Sequence, residues 1–489
     1  MKEVRKLAGQ TLIYGFGTIV PRFLNYGILT FFYTRIFDKS EYGVITELYA
    51  WMVLLIIILT YGMETGFFRF AQNKEDYEKV YSTTLISLFL SSLLCVLLIF
   101  IFIKPFSALL NYRNNHDYIK MVAGIVALDT VCAIPFARLR KDNRPVVFSI
   151  LKILNVVLTI AAVLFLLKVA PLIYEKGNGW FRRNYDPDYG VGYVFLANLI
   201  GSAATLIMLL PFIFRTKLMF YWTIWKKMLM YSVPLLVAGL SGSISDTLDK
   251  VILRRMIGAE NGLQTVGVYG AGYKIAVLMA LFIQMFRFAA EPFFFERAKY
   301  ENAKETYAYV MKYFVIIMLI VYLIINLYIS GIQFIVGTNF REAMVVVPIV
   351  SMAYLLYGIY VNHSIWYKLN DFTRFGIYIT LIGTVITVLI NVFLIPVFGY
   401  MASAWAHLAS YGSMIIMSFI FAEKRYKVNY SMDKLLPYFL IAIGLVIFTN
   451  SIKYPNLMVE FIINTLFIIL FIMSAQYKDK ILNVFFSKY

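Results

Sequence analysis

Apolar residues fill most of the chain in runs of about 20, and short polar connections separate the runs. Because a transmembrane helix needs about 20 apolar residues, this pattern predicts membrane spans rather than the helices of a soluble core. The predicted fold class is therefore an all-α integral membrane protein with fourteen transmembrane helices. Their starts lie near Thr11, Gly43, Val80, Ile119, Val146, Val191, Met228, Val266, Tyr309, Ala343, Phe375, Met401, Leu435 and Leu457.

The second half of the pattern repeats parts of the first. "TLIYG" at Thr11 is similar to "MLMYS" at Met228, and "YGVI" after span 1 is similar to "VGVY" after span 7. The motif "ETGFFRFA" from Glu64 matches "EPFFFERA" from Glu291. Internal repeats of this kind point to two related bundles with a binding site near the membrane midplane.

The repeats predict how the chain divides. We expect an N-lobe of spans 1 to 6 over residues 1–215, a C-lobe of spans 7 to 12 over 216–425, and two further helices over 426–489. Six spans in each lobe is an even number, so both lobes enter the membrane in the same sense. The lobes are therefore expected to be pseudo-symmetric about an axis along the membrane normal.

Composition agrees with the pattern, since 61% of the 489 residues are hydrophobic and 15% are charged. The net charge of +18 is not a nucleic-acid signal, because the cations recur in short clusters between apolar runs. If the N-terminus is cytoplasmic, the inner connections hold about twice as many Lys and Arg as the outer ones. The positive-inside rule thus predicts that both termini are cytoplasmic.

No connection is long enough to fold as a catalytic domain. The longest outer one, Pro171 to Gly190, has turn signals at Gly177 and Gly179 and contains no histidine. The chain also lacks a phosphate-binding glycine loop, a metal-ligand cluster and a nucleophilic triad in its motifs. We therefore expect no enzymatic activity, no metal and no cofactor.

A charge deep in a membrane is costly, so such residues face protein or water and default to functional hypotheses. Arg22 follows Pro21 near the middle of span 1, and Asn25 lies one turn further on the same face. A guanidinium fork there suits a phosphate group. The alternative is a structural Arg22 that contacts carbonyls loosened at Pro21 or a neighbouring Glu.

Span 7 has one polar face, with Asp246, Asp249, Lys250 and Arg254 at helical spacing. Asp246 and Lys250 could form an ion pair that only neutralises itself. In the functional interpretation, Asp249 titrates and Lys250 is available to cargo. Arg254 lies near the outer end of the span, where its side chain is expected to reach the interface.

Span 8 adds Lys274 in its outer half, with Arg287 and Glu291 one turn apart near the inner end. Lys274 has no acid within a turn, so it needs a partner on another helix or a ligand. Arg287 and Glu291 could form a purely structural pair. The predicted substrate-binding residues are Arg22, Asn25, Lys250, Lys274 and Arg287.

Buried carboxylates are candidates for coupling transport to H⁺ or Na⁺, because desolvation favours their protonated form. Each could instead hold a neighbouring cation in place. Lys152 is expected to reach the interface, and His363 to have a structural hydrogen bond. The candidate coupling residues are Glu47, Glu64, Asp129, Asp249 and Glu291.

Three stretches resemble one transporter family. "YSVPLLVAGLSGSISDTLDKVILRRMIGAENGLQTVGVYGAGYKIA" and "RFAAEPFFFERA" are similar to the seventh and eighth helices of bacterial polysaccharide transporters. "IPFARLRKDNRP" resembles the segment after helix 4 of the same family. These are the O-antigen (oligosaccharide-lipid) flippases of the multidrug/oligosaccharidyl-lipid/polysaccharide exporter superfamily.

The resemblance implies two lobes that open alternately to the two sides of a bacterial inner membrane. The implied cargo is a polyprenyl-diphosphate-linked oligosaccharide, such as an O-antigen (lipopolysaccharide), capsule or exopolysaccharide unit. The implied partners are that glycan, membrane lipids and the polysaccharide polymerase machinery.

Several alternatives remain open. A cation-coupled multidrug or metabolite antiporter and a peptidoglycan-precursor flippase share the fold. The basic residues of spans 1, 7 and 8 favour an anionic cargo over cationic drugs. A lipid-linked glycan polymerase or ligase needs catalytic groups on a larger outer loop, and a 14-span major facilitator transporter needs a glycine and basic pattern that the loop after span 2 lacks.

Overall fold

The computed structural model describes residues 15–73, 75–177, 179–258, 261–298, 300–370, 372–430 and 432–480. Within these ranges the chain is almost entirely helical and contains no strand. Backbone groups in lipid must be satisfied within their own segment, and a helix satisfies them locally. The all-α expectation is therefore confirmed for the part of the chain that the structure describes.

Seven long helical segments make up the first half. They are α1 (15–36), α2 (Lys39–Thr60 with Met63–Phe70), α3 (Tyr77–Ile101), α4 (His116–Lys141), α5 (Pro145–Leu164 continuing to Glu175), α6 (Gly192–Ile213) and α7 (Trp222–Ile257). Short helices in the connections are Ile103–Leu109, Gly179–Asn184 and the 3₁₀ turn Pro187–Tyr189.

Seven further segments follow. They are α8 (Gly262–Ala276 with Leu278–Arg297), α9 (Ala303–Leu327), α10 (a 3₁₀ stretch Thr338–Val346, then Val347–His363 and Ile365–Leu369), α11 (Thr373–Phe398), α12 (Tyr400–Glu423), α13 (Met432–Ser451) and α14 (Leu457–Asp479). Ile329–Ile332 and Gln333–Ile335 connect α9 to α10.

Every predicted start from Gly43 onward lies in the first two turns of one of these helices except Val191, which directly precedes α6, while Thr11 lies outside the described residues. Among the described residues, eleven helices are long and apolar enough to cross a membrane, or twelve if the bent pair in α8 is one span. The protein is thus a multi-pass membrane protein. The count of fourteen spans stays a prediction.

Within the described ranges, α1 and α5 each contain a wide π-helical turn, and α2 contains a tight break. Pro21 removes a backbone donor in α1, and four residues later the helix widens into a π-helical turn over Asn25–Leu29. A second π-helical turn, Phe165–Val169, lies inside α5. In α2 the break falls at Tyr61 and Gly62, whose φ angles are 31° and 72°.

The chain forms two compact units. Unit 1 comprises residues up to Leu29 together with Ser40–Val251, and unit 2 comprises Thr30–Lys39 together with Ile252 onward. α1 and α7 therefore each contribute to both units. The division into six-helix lobes at 215 and 425 remains a prediction.

Each unit has its own apolar core. In unit 1 the core joins α2, α3 and α4 through Met63, Phe67, Tyr81 and Ile134, which are all buried. In unit 2 a core around Phe294, Tyr307 and Ile365 joins α8, α9 and α10. Large apolar side chains elsewhere are exposed, which is expected where lipid replaces water as the solvent. Examples lie along α3 and α11, including Leu94, Leu97, Ile101, Phe393 and Val397.

Candidate functional site

In unit 1, α1 presents Arg22 on an exposed face directly after the buried Pro21. The helix approaches α5 closely here, because a Cβ atom on Gly17 would lie 2.1 Å from the hydroxyl of Ser149. Lys152 lies one turn further along α5. The small residue in α1 thus brings a basic residue of each helix into the same region.

Lys152 is the centre of a charged cluster in unit 1. Its ammonium group lies 4.1 Å from the ring centroid of Phe136 and within electrostatic range of Asp129, Arg140 and Arg22. Asp129 also accepts a hydrogen bond from Ser202 of α6. We call Arg22, Arg140 and Lys152 the cationic cluster. Its three cations come from α1, α4 and α5, so only the tertiary fold brings them together.

Glu64 of α2 forms an ion pair with Arg140 at the end of α4. The guanidinium also lies 5.0 Å from the ring centroid of Phe68. Both side chains of the pair are more than one-third exposed, so water screens the attraction. Glu64 and Asp129 thus reduce the positive charge of the cationic cluster.

α7 places Asp249 and Lys250 in the interior, with 0% and 6% of their surfaces exposed. The Lys250 ammonium lies 2.9 and 3.2 Å from the two carboxylate oxygens of Asp249, and it donates to the backbone oxygen of Asp246 at 2.8 Å. This ion pair joins sequence neighbours, and the pair of Lys250 with the Asp246 carboxylate stays an alternative interpretation of span 7. Arg254 is also buried, contrary to its expected place at the interface.

Glu47 of α2 is 3% exposed and accepts a hydrogen bond of 2.7 Å from the buried hydroxyl of Tyr112. Tyr112 lies in the connection between α3 and α4. A hydroxyl that donates to a carboxylate stabilises its charged form. Whether Glu47 takes part in coupling stays a prediction.

In unit 2, Glu291 accepts contacts from two cations. Lys368 at the end of α10 lies 2.6 Å away, and the Arg287 Nε atom lies 3.7 Å away. The cavity between these residues has a volume of about 10 Å³, which leaves room for at most one water molecule. Arg287 and Glu291 thus form the local pair that the sequence allowed, with Lys368 as an additional partner.

The two ion pairs at Glu64 and Glu291 occupy equivalent positions of the repeat. Glu291 lies 227 residues after Glu64, and Lys368 lies 228 residues after Arg140. Each pair joins the matching motif to the helix that follows two positions later. The internal repeat therefore extends to side-chain contacts within each unit.

Sequence reasoning missed a buried network beside Lys274. Tyr273 and Tyr354 exchange a hydrogen bond between their hydroxyl groups, and the Tyr273 ring lies 5.6 Å from that of His407. Lys274 itself is half-buried. The aromatic residues of α8 and α10 resembled ordinary packing residues, so spacing alone could not have identified the network.

Sequence reasoning also missed Lys152 and Arg140. Lys152 lies two turns after the start of α5. It is close enough to the helix end that its side chain was expected to reach the membrane interface. The available signal was Asp129 in span 4, because an acid within the membrane can neutralise a lysine of another span. His363 forms the expected structural contact, at 2.7 Å from the hydroxyl of Ser418.

The described residues contain no group of three or more His, Cys, Asp or Glu side chains that could hold a metal ion. Cys95 and Cys132 are both free thiols. The expectation of no metal and no cofactor stays an expectation.

Comparison with known structures identifies the fold. The chain is similar to the lipid II flippase MurJ in an inward closed conformation, with a TM-score of 0.70, 12% identity, and coverage of 96% of this chain and 100% of that chain. An outward-facing multidrug resistance MATE family transporter of the MOP superfamily matches with a TM-score of 0.60, 14% identity, and coverage of 86% and 96%. A MOP superfamily transporter from Pyrococcus furiosus matches with a TM-score of 0.56, 14% identity and the same coverage.

The family comparison agrees with the resemblance seen in the helices. No curated protein sequence shows significant similarity to this chain. The model of the family described as "Polysaccharide biosynthesis protein" matches residues 7–297, which is more than half of the chain. This chain is therefore a member of the polysaccharide biosynthesis protein family, with the helical membrane fold that MurJ and the MATE transporters share.

Proposed function

We propose that this protein is a flippase and not an enzyme. Its cargo is a polyprenyl-diphosphate-linked oligosaccharide, which it moves from the cytoplasmic to the outer leaflet of a bacterial inner membrane by alternating access. The observation that supports this most is the cationic cluster of Arg22, Arg140 and Lys152 in a member of the polysaccharide biosynthesis family. Cations on membrane-spanning helices can bind an anionic headgroup.

A diphosphate headgroup cannot cross hydrocarbon unaided, because nothing there replaces its lost hydration. In the proposed path, Arg140 and Lys152 lie at the cytoplasmic mouth of unit 1, and Arg22 lies deeper. Arginine can bind phosphate oxygens through two parallel hydrogen bonds, so Arg22 is assigned the principal contact and Asn25 a supporting one. Lys274 and Arg287 are the proposed contacts from unit 2.

Lys250 has a different proposed role because Asp249 already neutralises it. A phosphate can compete for the ammonium only if Asp249 accepts a proton or moves. Exchange of partners would therefore couple cargo binding to the state of one carboxylate. Glu47, Glu64, Asp129 and Glu291 are further candidates for H⁺ or Na⁺ coupling.

The membrane potential favours the proposed direction. Moving one negative charge outward across an interior-negative membrane releases about 2.3 kcal/mol per 100 mV. Two charges on the headgroup would thus supply about 4 to 5 kcal/mol. The energetics of the proposal do not require an ion gradient, although coupling could add to the driving force.

The alternative functions are a cation-coupled antiporter and a peptidoglycan-precursor flippase. The similarity to MurJ supports a lipid-linked cargo, while the MATE transporters of the same fold keep the antiporter possible. A transport assay with a cationic dye would separate them. An antiporter should expel the dye in a gradient-dependent way, whereas a flippase of anionic lipids should not.

The test replaces the deep cations. Arg22→Ala and Lys274→Ala are expected to lower the appearance of lipid-linked glycan at the outer surface by at least about tenfold, a loss of about 1.4 kcal/mol of favourable interaction. Arg22→Lys should retain part of the activity, because it keeps the charge but not the planar fork. Outer-surface glycan is measured in intact cells with a lectin or an impermeant label.

Lys427→Ala is the matched control, because Lys427 is well exposed and pairs only with Glu423 of its own turn in the described structure. It should leave export unchanged. Equal membrane amounts of each variant establish that insertion is intact. Full export by both Arg22→Ala and Lys274→Ala would reject their assigned roles.

A further inference from the structure

Unit 2 contains a polar cavity that the proposed path does not use. It lies where α1 ends and where the connection from α9 enters α10, and its volume is about 430 Å³. This volume is in the range of small-molecule sites, about 300 to 1,000 Å³. Its polar lining includes Thr34, Arg35, Asp38, Thr338, Asn339 and Arg341.

Arg35 is held in place by neutral groups. Its guanidinium donates to the backbone oxygens of Phe31 at 2.7 Å, Phe334 at 2.6 Å and Ile335 at 3.3 Å. It also lies 3.5 Å from the ring centroid of Phe31. Carbonyl groups orient an arginine without removing its charge, so Arg35 is a fixed cation at the cavity wall.

Arg341 is the second cation of this cavity. Its guanidinium lies 4.6 Å from the ring centroid of Phe334, and its buried Nε atom has no hydrogen-bond acceptor within the described part of the chain. A buried charged donor without an acceptor is uncommon in proteins and calls for a bound water or ion. Arg341 also lies within electrostatic range of Arg35.

Two like charges at one cavity repel each other, and an anion between them would offset this repulsion. Across the described ranges, neither Arg35 nor Arg341 has a carboxylate within 4.0 Å. Asp38 lines the same cavity and offsets one of the two charges in part. Lys39 is nearby in sequence but is neutralised by Glu342 at 2.6 Å.

The cavity wall is held by a close backbone approach. The Gly337 amide donates to the Thr34 hydroxyl at 2.9 Å, and a Cβ atom on Gly337 would lie 2.0 Å from the Thr34 carbonyl oxygen. Only glycine permits this approach. The segments that bear Arg35 and Arg341 are thus joined by a contact that does not depend on the cavity's contents.

We propose that Arg35 and Arg341 form a binding site for a phosphate-type oxyanion at the end of α1. Two guanidinium groups favour a group with two negative charges, such as phosphate or diphosphate, over a single carboxylate. Thr338 and Asn339, both exposed at the cavity, can donate further hydrogen bonds. The predicted topology puts this end of α1 on the outer side of the membrane.

The anion has two possible sources, which are the headgroup of a lipid and a soluble phosphate. The experiment uses the full-length protein in phosphatidylcholine nanodiscs and titrates inorganic pyrophosphate by calorimetry at low salt. Arg341→Gln and the isosteric Asn339→Asp are each expected to weaken pyrophosphate binding at least about tenfold. Arg341→Lys should weaken binding less, because it retains the charge.

Lys39→Gln is the matched control, since it removes one positive charge at the same end of the protein but outside the cavity lining. It should change pyrophosphate affinity less than about twofold. Unaltered melting temperatures show that each variant is folded. Nanodiscs that also contain a polyprenyl diphosphate distinguish the sources, because only a headgroup site would show competition between this lipid and pyrophosphate.

Pyrophosphate binding that Arg341→Gln and Asn339→Asp both leave intact overturns the proposal. Binding that depends on Arg22 and not on Arg341 also overturns it, while supporting the proposed transport path. Loss of binding in the Arg341 variant with normal glycan export would establish the anion site and show that transport does not need it. The two proposals can therefore fail separately.

Discussion

At the scale of single residues, burial separates two kinds of ion pair in unit 1. Glu64 and Arg140 are partly exposed, and such pairs contribute about 0 to 1 kcal/mol to stability. Asp249 and Lys250 are buried, so their mutual attraction replaces part of the hydration that each charge has lost. The first pair can break and re-form at little cost, whereas the second must be kept intact or exchanged for another charge.

The Asp249–Lys250 pair makes a testable prediction about stability. Lys250→Met should lower the free energy of unfolding by about 3 to 5 kcal/mol, because it removes the cation that pairs with the buried Asp249 carboxylate. The double variant Asp249→Asn with Lys250→Met should be more stable than the single one, since neither charge of the pair remains. Thermal and denaturant unfolding in detergent would measure the difference.

Glu64→Gln provides the comparison. It removes the charge of a partly exposed ion pair, so it should lower the free energy of unfolding by less than about 1 kcal/mol. A double variant that is less stable than Lys250→Met would contradict the explanation.

At the scale of elements, local sequence explains where the helices bend. Pro21 precedes the wide turn of α1, and Gly62 occupies the break in α2 with a φ of 72°. Gly62 also approaches α7, because its Cβ position would lie 2.6 Å from the Ser232 carbonyl oxygen. One glycine therefore meets both a conformational requirement and a packing requirement.

Gly62→Ala is expected to destabilise the protein by at least about 1 to 2 kcal/mol, because a non-glycine residue in the left-handed region costs this much before any clash. The melting temperature in detergent is the measurement. Gly444→Ala in α13 is the control. No atom lies within 4 Å of its Cβ position, and alanine is the better helix former. Equal effects of the two substitutions would be evidence against this role of Gly62.

At the scale of the whole molecule, the chain repeats a structural plan. Glu64 with Arg140 in unit 1 and Glu291 with Lys368 in unit 2 are equivalent pairs, in which each cation lies at the end of its helix. The predicted topology puts both pairs on the cytoplasmic side, where the positive-inside rule expects a surplus of cations. The cavity with Arg35 and Arg341 lies at helix ends that the same topology puts outside.

Single cysteines test this topology. In a background with Cys95→Ala and Cys132→Ala, Arg182→Cys should react with a membrane-impermeant maleimide in intact cells. Arg144→Cys should react only after permeabilisation. Both native side chains are exposed, so the reagent can reach either position from its own side. The reverse labelling pattern would invert the orientation and move the anion cavity to the cytoplasmic side.

The sequence by itself determined the all-helical class, the helix positions from Gly43 onward and the family resemblance. These properties are local, because a run of apolar residues must satisfy its backbone hydrogen bonds within itself in lipid. The sequence also showed that Glu64 and Glu291 occupy corresponding positions of the repeat, because they lie in matching motifs. Arg287 was visible as a partner of Glu291, one turn away, whereas Arg140 and Lys368, which lie on other helices, were not.

Only the tertiary structure decided which charges meet. Lys152 lies near Arg22 because a small residue in α1 permits close contact with α5, and Lys250 pairs with its sequence neighbour Asp249. Arg35 and Arg341 are more than 300 residues apart and share a cavity. Electrostatic energy depends on distance and local dielectric, and neither can be read from sequence spacing when the partners come from different helices.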